Sequence, residues 1–298
     1  MIIIDLGNAL TKVHDTKTNL SFEVPTVIGH TTQPRALLNV DAKRLFIGQE
    51  ALKNRAFITI QRPIQFNRVV DSEALVVFLR HILYFELKQL PDHLVILVHA
   101  SFTGHTALQQ TLKDLQIKRV QFALPGMLPL LRNNSPVAIS LDVSDSGCET
   151  FAVYNGTILQ ESLLTTDFAG RLLSERLLQS SGAVCNSESD FLHLQEHFYG
   201  LKNDYKIQNS AVQNLAEEFL VQQIIKTILA VPLASRARAA KNLVISGGIT
   251  KIEGFEAIII KKMQEAKAPY TLNFVKGDGD LKKVEQMFEK GTWIELQE

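Results

Sequence analysis

The 298-residue sequence has little cysteine: Cys148 and Cys185 are the only two. That pair offers neither a disulfide framework nor the spacing of a zinc site, and it suits a reducing compartment. There is no excess charge either. Lys plus Arg and Asp plus Glu number 31 each, for a net charge of +0. A bulk pull toward nucleic acid or an anionic membrane is thereby excluded, leaving only local patches to argue from. Long apolar runs are missing too. The longest, residues 74–87, is broken by Arg80, His81 and Glu86 and is too short to span a bilayer. The opening Met1-Ile2-Ile3-Ile4-Asp5 has no basic region ahead of its apolar residues, unlike a signal peptide. The eight histidines show no metal-ligand spacing, and no low-complexity linker interrupts the chain. These absences point to a soluble intracellular protein with no membrane insertion.

With 46% hydrophobic and 21% charged residues, the composition is that of an ordinary folded protein, long enough for one large domain or two lobes. Residues 2–4 form a β-branched run ending at Asp5-Leu6-Gly7-Asn8, a strand and a tight turn. Residues 10–14 and 20–24 can return as antiparallel strands. Asp71-Ser72 starts a helix in which Leu75, Phe78, Leu79, Ile82 and Leu83 recur at helical spacing. A strand at 94–98, a helix at 105–115 and a strand at 119–122 complete a mixed α/β rhythm. The opening theme then recurs. Residues 137–141 are an apolar strand ending at Asp142-Val143-Ser144-Asp145-Ser146-Gly147, followed by strands at 150–154 and 157–160. Asn155-Gly156 between them is a hairpin signal, because both residues tolerate positive φ. Later come helices at 166–180, 211–229, 235–240 and 254–266, and a strand at 243–245 leading into Ser246-Gly247-Gly248. Duplicated α/β halves face one another across a cleft, where ligands bind.

Three loops carry the chemistry. Turns of small residues present consecutive backbone N–H groups to phosphate oxygens. Asp5-Leu6-Gly7-Asn8-Ala9 and Asp142 to Gly147, with Ser144 and Asp145 inside, both have that make-up. A carboxylate from each, Asp5 and Asp142, would hold magnesium through water rather than directly. Lys12, one strand later, can reach back to a phosphate as a point charge. Ser246-Gly247-Gly248 lacks bulk, so its backbone can lie close to a base or ribose. Each loop alone is an ordinary turn; the duplicated pair followed by a Gly-Gly loop is the signal. Elsewhere, Arg236, Arg238 and Lys241 read as a solvated helix face flanking the cleft. Cys148, with no basic neighbour in sequence, reads as a packing residue. Lys282, Lys283 and residues 285–290 read as an exposed helix.

The sequence resembles the actin family over nearly its whole length. Ile3-Ile4-Asp5-Leu6-Gly7 through Lys12 is similar to the first phosphate loop, and Phe22 to Gly29 to the segment with a proline before the first crossover. Phe46-Ile47-Gly48-Gln49-Glu50-Ala51, Arg62-Pro63-Ile64 and the helix with His81-Ile82-Leu83-Tyr84-Phe85 follow in the actin order. Asp142 to Gly147 sits where the second phosphate loop belongs. Asp167-Phe168-Ala169-Gly170-Arg171 is close to Asp-Leu-Ala-Gly-Arg, and Asn242 to Gly248, with Gly254-Phe255, resembles the adenosine motif. The resemblance implies an actin-like ATPase fold: two duplicated α/β lobes around a cleft for ATP or ADP with Mg. It divides the chain into a first lobe at 1–132 with an outer insertion at 30–58, a second at 133–270, and a segment at 271–298 returning toward the first.

Departures from the pattern shape the functional expectation. Counting back from Asp142, Pro125 stands at the position of the glutamine that positions water for γ-phosphate hydrolysis; proline has no side-chain donor or acceptor for the task. Counting forward, Glu149 or Thr150 replaces the cleft histidine, Ser144 replaces a glycine, and Ala9 a small flexible position. Nucleotide binding with weak or absent hydrolysis is the expectation. Between Arg171 and Asn242 the chain is shorter than actin, with residues 193–199 and 211–229 left to form that outer lobe, and it stops at Trp293-Ile294-Glu295-Leu296-Gln297-Glu298, where actin has a Trp-Ile before its last helices. Actin filaments grow by open head-to-tail contacts, so a trimmed contact surface implies a subunit that joins an end without self-polymerising. Residues 4–12, 81–85 and 241–248 are similar to the pointed-end actin-related proteins of dynactin, the group numbered ten or eleven. That likeness implies partners among actin-like filament subunits and dynactin pointed-end subunits, support of dynein-driven microtubule-based transport, and a place in the cytoplasm and cytoskeleton. The segment from His30 to Phe46 is longer than that group leads one to expect. The alternative is an actin-related subunit of a nuclear chromatin-remodelling complex.

Overall fold

The computed structural model describes residues 1–31, 45–91, 93–132, 135–180, 213–276 and the short pieces 182, 187–188, 190–191 and 294–295. The outer-lobe stretch 193–199, the expected helix at 285–290, most of the outer segment 30–46, Cys185 and Trp293 lie outside the described residues. The strands of the first half are β1 (Ile2–Leu6), β2 (Leu10–Asp15), β3 (Leu20–Pro25), β4 (Ile28–His30), β5 (Leu45–Ile47), β6 (Thr59–Gln61), β7 (Ile64–Gln65), β8 (Arg68–Val69), β9 (His93–Leu97) and β10 (Arg119–Ala123). Those of the second half are β11 (Val137–Val143), β12 (Cys148–Tyr154), β13 (Thr157–Ile158), β14 (Leu164–Thr166), β15 (Leu243–Ser246), β16 (Phe274–Lys276) and β17 (Ile294–Glu295).

Two mixed sheets dominate, one in the order β17-β10-β9-β1-β2-β3 and the other β13-β12-β11-β15-β16, with β14 also on β12. They are built alike. In each, the strand before a phosphate-type loop pairs antiparallel with the strand after it, β1 with β2 and β11 with β12. On its other side that strand pairs in parallel with a later one, β1 with β9 and β11 with β15. The duplication read from two Asp-turns is thus a duplication of topology. The second sheet runs past residue 270 to β16, and β17 joins the first sheet beside β10.

The continuous apolar run of β1 follows from cover on both faces, as parallel strands require. Ile2, Ile4, Leu94 and Ile96 pack with Leu75, Phe78 and Leu79 of the helix Ser72–Arg80 and with Leu108 and Leu112 of the helix His105–Asp114. Ile3, Val95 and Leu97 face the other way, onto Leu128. Leu128 belongs to the short helix Met127–Arg132, whose Leu130 packs with Ala138, Phe151 and Val244 of the second sheet. One short helix therefore touches both sheets beneath the cleft. The second core joins Ile139, Leu141 and Val143 to Ile224 and Ile228 of the helix Val221–Ala230 and to Phe255 and Ile259 of the helix Phe255–Glu265.

Local signals hold where a side chain acts on its own backbone. Asp71 Oδ1 accepts from Ala74 N at 2.8 Å and caps the helix at Ser72, satisfying one of its free donors. Asn155 and Gly156 have φ of 50° and 80°, both left-handed, as a two-residue hairpin needs. One expectation is corrected. Arg236 is not merely a solvated face residue: its Nε donates to Val231 O at 2.9 Å and its Nη2 to Leu229 O at 2.6 Å, closing the end of the helix Val221–Ala230. Among the described residues no helix is long and apolar enough to cross a membrane.

Candidate functional site

The turn between β1 and β2 and the turn between β11 and β12 face each other, and the Asn8 amide donates to Asp145 Oδ2 across the gap at 2.5 Å. Sheet register then places the charges. Asp5 and Lys12 are cross-strand partners, so Lys12 turns back to within 3.9 Å of Asp5 Oδ2. Asp142 is level with Ser246 on β15, whose hydroxyl donates to Asp142 Oδ1 at 2.6 Å. The third loop is thereby brought to the second one. Gly247 has φ of 94°, and a Cβ there would come within 2.1 Å of Val143 O, so only glycine fits. Nothing lies within 4 Å of the Cβ position of Gly248, which leaves open space beside it.

Each turn is braced. Thr26 Oγ1 donates to Gly7 O at 2.8 Å and Thr26 N to Ala9 O at 3.0 Å, while a Cβ at Gly7 would stand 2.5 Å from Leu10 O. In the second turn Ser144 donates to Gly147 O from N at 2.9 Å and from Oγ at 2.8 Å. Gly170 N and Arg171 N, at the start of the helix Gly170–Ser180, donate to Ser144 O and Asp145 O at 3.1 and 2.7 Å. The Asp167-to-Arg171 segment is therefore a brace for the second turn.

The electrostatics are those of a site short of positive charge. Burial pushes the Asp5 carboxyl up to about 6; Lys12 opposes this and Asp142 adds to it. Burial also raises Asp142, against the hydrogen bond from Ser246. Two acids, buried Asp142 and half-buried Asp5, both raised and both near Lys12, fit a divalent cation and phosphate oxygens, which would stabilise the charged forms. Asn8 Oδ1, buried without a hydrogen-bond partner, is a further unused polar atom in this place. Among the described residues no three His, Cys, Asp or Glu side chains are grouped to cage a metal directly. An ion here would accordingly share Asp5 and Asp142 with water and ligand oxygens.

The structure brings Asp5, Gly7, Asn8, Ala9 and Lys12 of the first turn together with Asp142, Ser144, Asp145 and Gly147 of the second and Ser246, Gly247 and Gly248 of the third. It adds residues that sequence reading passed over. Asn67, in the left-handed region at φ 56°, accepts from Ser146 Oγ at 2.6 Å. Glu149, which with Thr150 is one of the two residues read in place of the cleft histidine, takes a 2.9 Å hydrogen bond from Ala100 N, and its Oε2 lies 3.6 Å from His99 Nε2. Burial and Asp142 push Glu149 up to about 8, while burial pushes His99 down to about 4. Pro125 leads into Gly126, whose Cβ position is 3.3 Å from Glu149 Oε1. The two departures from the family pattern are thus neighbours in space. No local sequence signal marks Asn67 or His99, because both act through contacts made across the fold. Cys148 is buried, donates to Gln223 Oε1 at 3.4 Å, and is pushed well up by burial, as a packing residue would be.

Comparison with known proteins agrees with this geometry. Residues 1–183, more than half of the chain, match the family model described as Actin. The chain belongs to the actin family and has the actin fold. It is similar to actin-like protein 9 of Rattus norvegicus, 25% identical over 63% of this chain and 48% of that protein. Actin-like protein 9 of Mus musculus is 21% identical over 90% of this chain and 75% of its own length. The chain thus spans about half the length of the rat relative and about three quarters of the mouse one in these matches.

Proposed function

We propose that this chain is a structural, actin-related subunit of a filament assembly, one that holds ATP or ADP with Mg and hydrolyses it little. The observation that carries the reading is the pair of opposed turns with half-buried Asp5, buried Asp142, Lys12 near both, and the Gly247-Gly248 backbone alongside. Asn8, Ala9 and Asp145 would offer backbone N–H groups to the phosphates, Gly7, Ser144 and Gly147 would shape the turns through their own internal hydrogen bonds, and Ser246 to Gly248 would border the base or ribose. Magnesium, when bound, neutralises phosphate charge; this chain's own part is to orient it through Asp5 and Asp142. Weak turnover follows from Pro125, which has no group to orient water, and from Glu149, which at about 8 stays protonated near neutral pH and is a poor base there.

The finer reading is that the protein caps the pointed end of the dynactin actin-like filament and supports dynein-driven transport in the cytoplasm. It rests on residues 4–12, 81–85 and 241–248 of this chain, and the names of the relatives are silent on it. Purification of the tagged protein from its own cells, with mass spectrometry, tests it. Dynactin subunits and the actin-like filament protein are the expected companions. Chromatin-remodelling ATPases with other nuclear actin-related proteins would overturn the pointed-end reading and leave the cleft's chemistry in place.

A further inference from the structure

The two turns are joined by a second path besides the Asn8–Asp145 hydrogen bond, and together the two paths close a ring. Arg62 Nη1 donates to Asn8 O at 2.8 Å, on the backbone of the first turn. Its Nε donates to Glu188 Oε1 at 2.5 Å. Glu188 also accepts Arg171 Nη1 and Nη2 at 2.9 and 2.7 Å, a two-pronged pair. Arg171 N returns to Asp145 O at 2.7 Å, on the second turn. The ring runs Asp145, Asn8, Arg62, Glu188, Arg171 and back to Asp145.

Its members come from both sides of the cleft. Asn8 and Arg62 belong to the first half of the chain, Arg62 directly after β6 of a separate three-stranded sheet β5-β4-β6, and Asp145 and Arg171 belong to the second half. The side chains of Arg62, Glu188 and Arg171 are 3%, 11% and 11% exposed, so water screens them little. Arg171 has a further carboxylate partner outside the ring, its Nε donating to Glu175 Oε1 at 3.1 Å. Phe191, itself buried, lies with its ring centroid 4.0 Å from the Arg171 guanidinium carbon and fixes that side chain in place. A parallel seam supports the ring deeper down, where Asn67 takes Ser146 and Glu149 takes Ala100 N. Every one of these contacts joins two groups of the chain itself. In a cleft whose halves met only through a bound nucleotide, the same turns would have to be bridged by phosphate and metal.

We propose that this ring is a latch that keeps the two sides of the cleft closed without nucleotide, with Glu188 as the bolt between Arg62 and Arg171. The closed form is then a property of the chain, as a subunit with a fixed place in an assembly needs, and ligand adds to it instead of creating it. The latch rests on the nucleotide reading only in the rescue step of its test.

The experiment is hydrogen exchange on the full chain stripped with EDTA and a nucleotide-degrading phosphatase. Segments 5–9 and 142–147 report on the turns, and 94–97 on the core. Stripped wild type is expected to keep both turns protected. Glu188→Gln, which removes the charge shared by Arg62 and Arg171 and leaves Arg171 to Glu175 and Arg62 to Asn8 O, is expected to speed exchange at both turns at least ~10-fold while 94–97 stays slow. Arg62→Lys, which keeps the charge but loses the fork that holds Asn8 O and Glu188 together, should do the same and serves if the first variant does not fold. Turns that open in stripped wild type, or variants that exchange like wild type, would overturn the latch. Mg-ATP should restore protection in the variants. If it does not, while the variants still open, the latch stands and the nucleotide reading fails.

Discussion

Glu149 gives a prediction that can be worked from its surroundings. Its carboxyl is fully buried and takes the Ala100 N–H on Oε2 while Oε1 has no hydrogen-bond partner, and burial and the nearby Asp142 hold it protonated up to about 8. In the unfolded chain a glutamate ionises near its ordinary value, about 4.3. A raised folded value means that stability is full below the unfolded value and is lost as pH rises toward the folded one. Each pH unit in that window costs about 1.4 kcal/mol from this group, so pH 5 to 8 removes on the order of 3–4 kcal/mol. His99, lowered to about 4, acts the other way: its contribution is present above its ordinary value and lost as pH falls through about 4. Comparing wild type with Glu149→Gln cancels His99 and isolates the carboxyl. Glutamine retains an acceptor for Ala100 N and has no charge to lose. Thermal unfolding at pH 5, 6, 7 and 8 in EDTA is the assay. At roughly 2 °C per kcal/mol for a chain of this size, wild type should lose about 6–8 °C more than the variant across the series. Parallel curves would refute the argument, because they would mean that Glu149 ionises in the folded protein as readily as in the unfolded one.

Other outcomes follow from single contacts. Gly247→Ala should cost on the order of 2–4 kcal/mol, since its Cβ would sit 2.1 Å from Val143 O at a φ of 94°, and a lowered melting temperature checks it. Asp142→Ala should weaken Mg-ATP binding at least ~10-fold by calorimetric titration, through loss of one of the two acids facing the ion. Pro125→Gln supplies a group able to orient water, so phosphate release should rise above the wild-type background; unchanged release would place the deficit elsewhere, with Glu149 next in line. In a Cys185→Ser background, Cys148 should resist a thiol reagent in the native protein and react fully once unfolded, because burial keeps its thiolate scarce.

Much of the fold was legible because its signals are local or periodic. The apolar runs at 2–4 and 137–141 could only be strands covered on both faces, and Asp71 and Asn155-Gly156 punctuate by their own hydrogen bonding and backbone freedom. The candidate site was legible in part for the same reason: Asp-turn motifs lie within a few residues of the strands that aim them, and the register pairing of Asp5 with Lys12 is short-range. What escaped notice depends on distance in sequence. Asn67 meets Ser146 across 79 positions, and Arg62 meets Glu188 across 126, so no spacing rule could join them. Thr26 was read as part of a family segment, yet its work, holding Gly7 and Ala9, appears only when β3 folds back beside β2. Arg236 looked like surface charge because helix-end capping by a side chain seven residues on is invisible to composition.

The central claim is that the opposed turns hold a nucleotide with Mg and turn it over little. Acid extraction of the purified full chain, followed by chromatographic measurement of released adenine nucleotide and of phosphate formed on incubation with Mg-ATP, tests it most directly. The account predicts close to one ATP or ADP per chain, lost in Asp142→Ala, with phosphate release near background. A chain that carries no nucleotide and takes up none from millimolar Mg-ATP would contradict the binding, and rapid, sustained phosphate release would contradict the weak turnover.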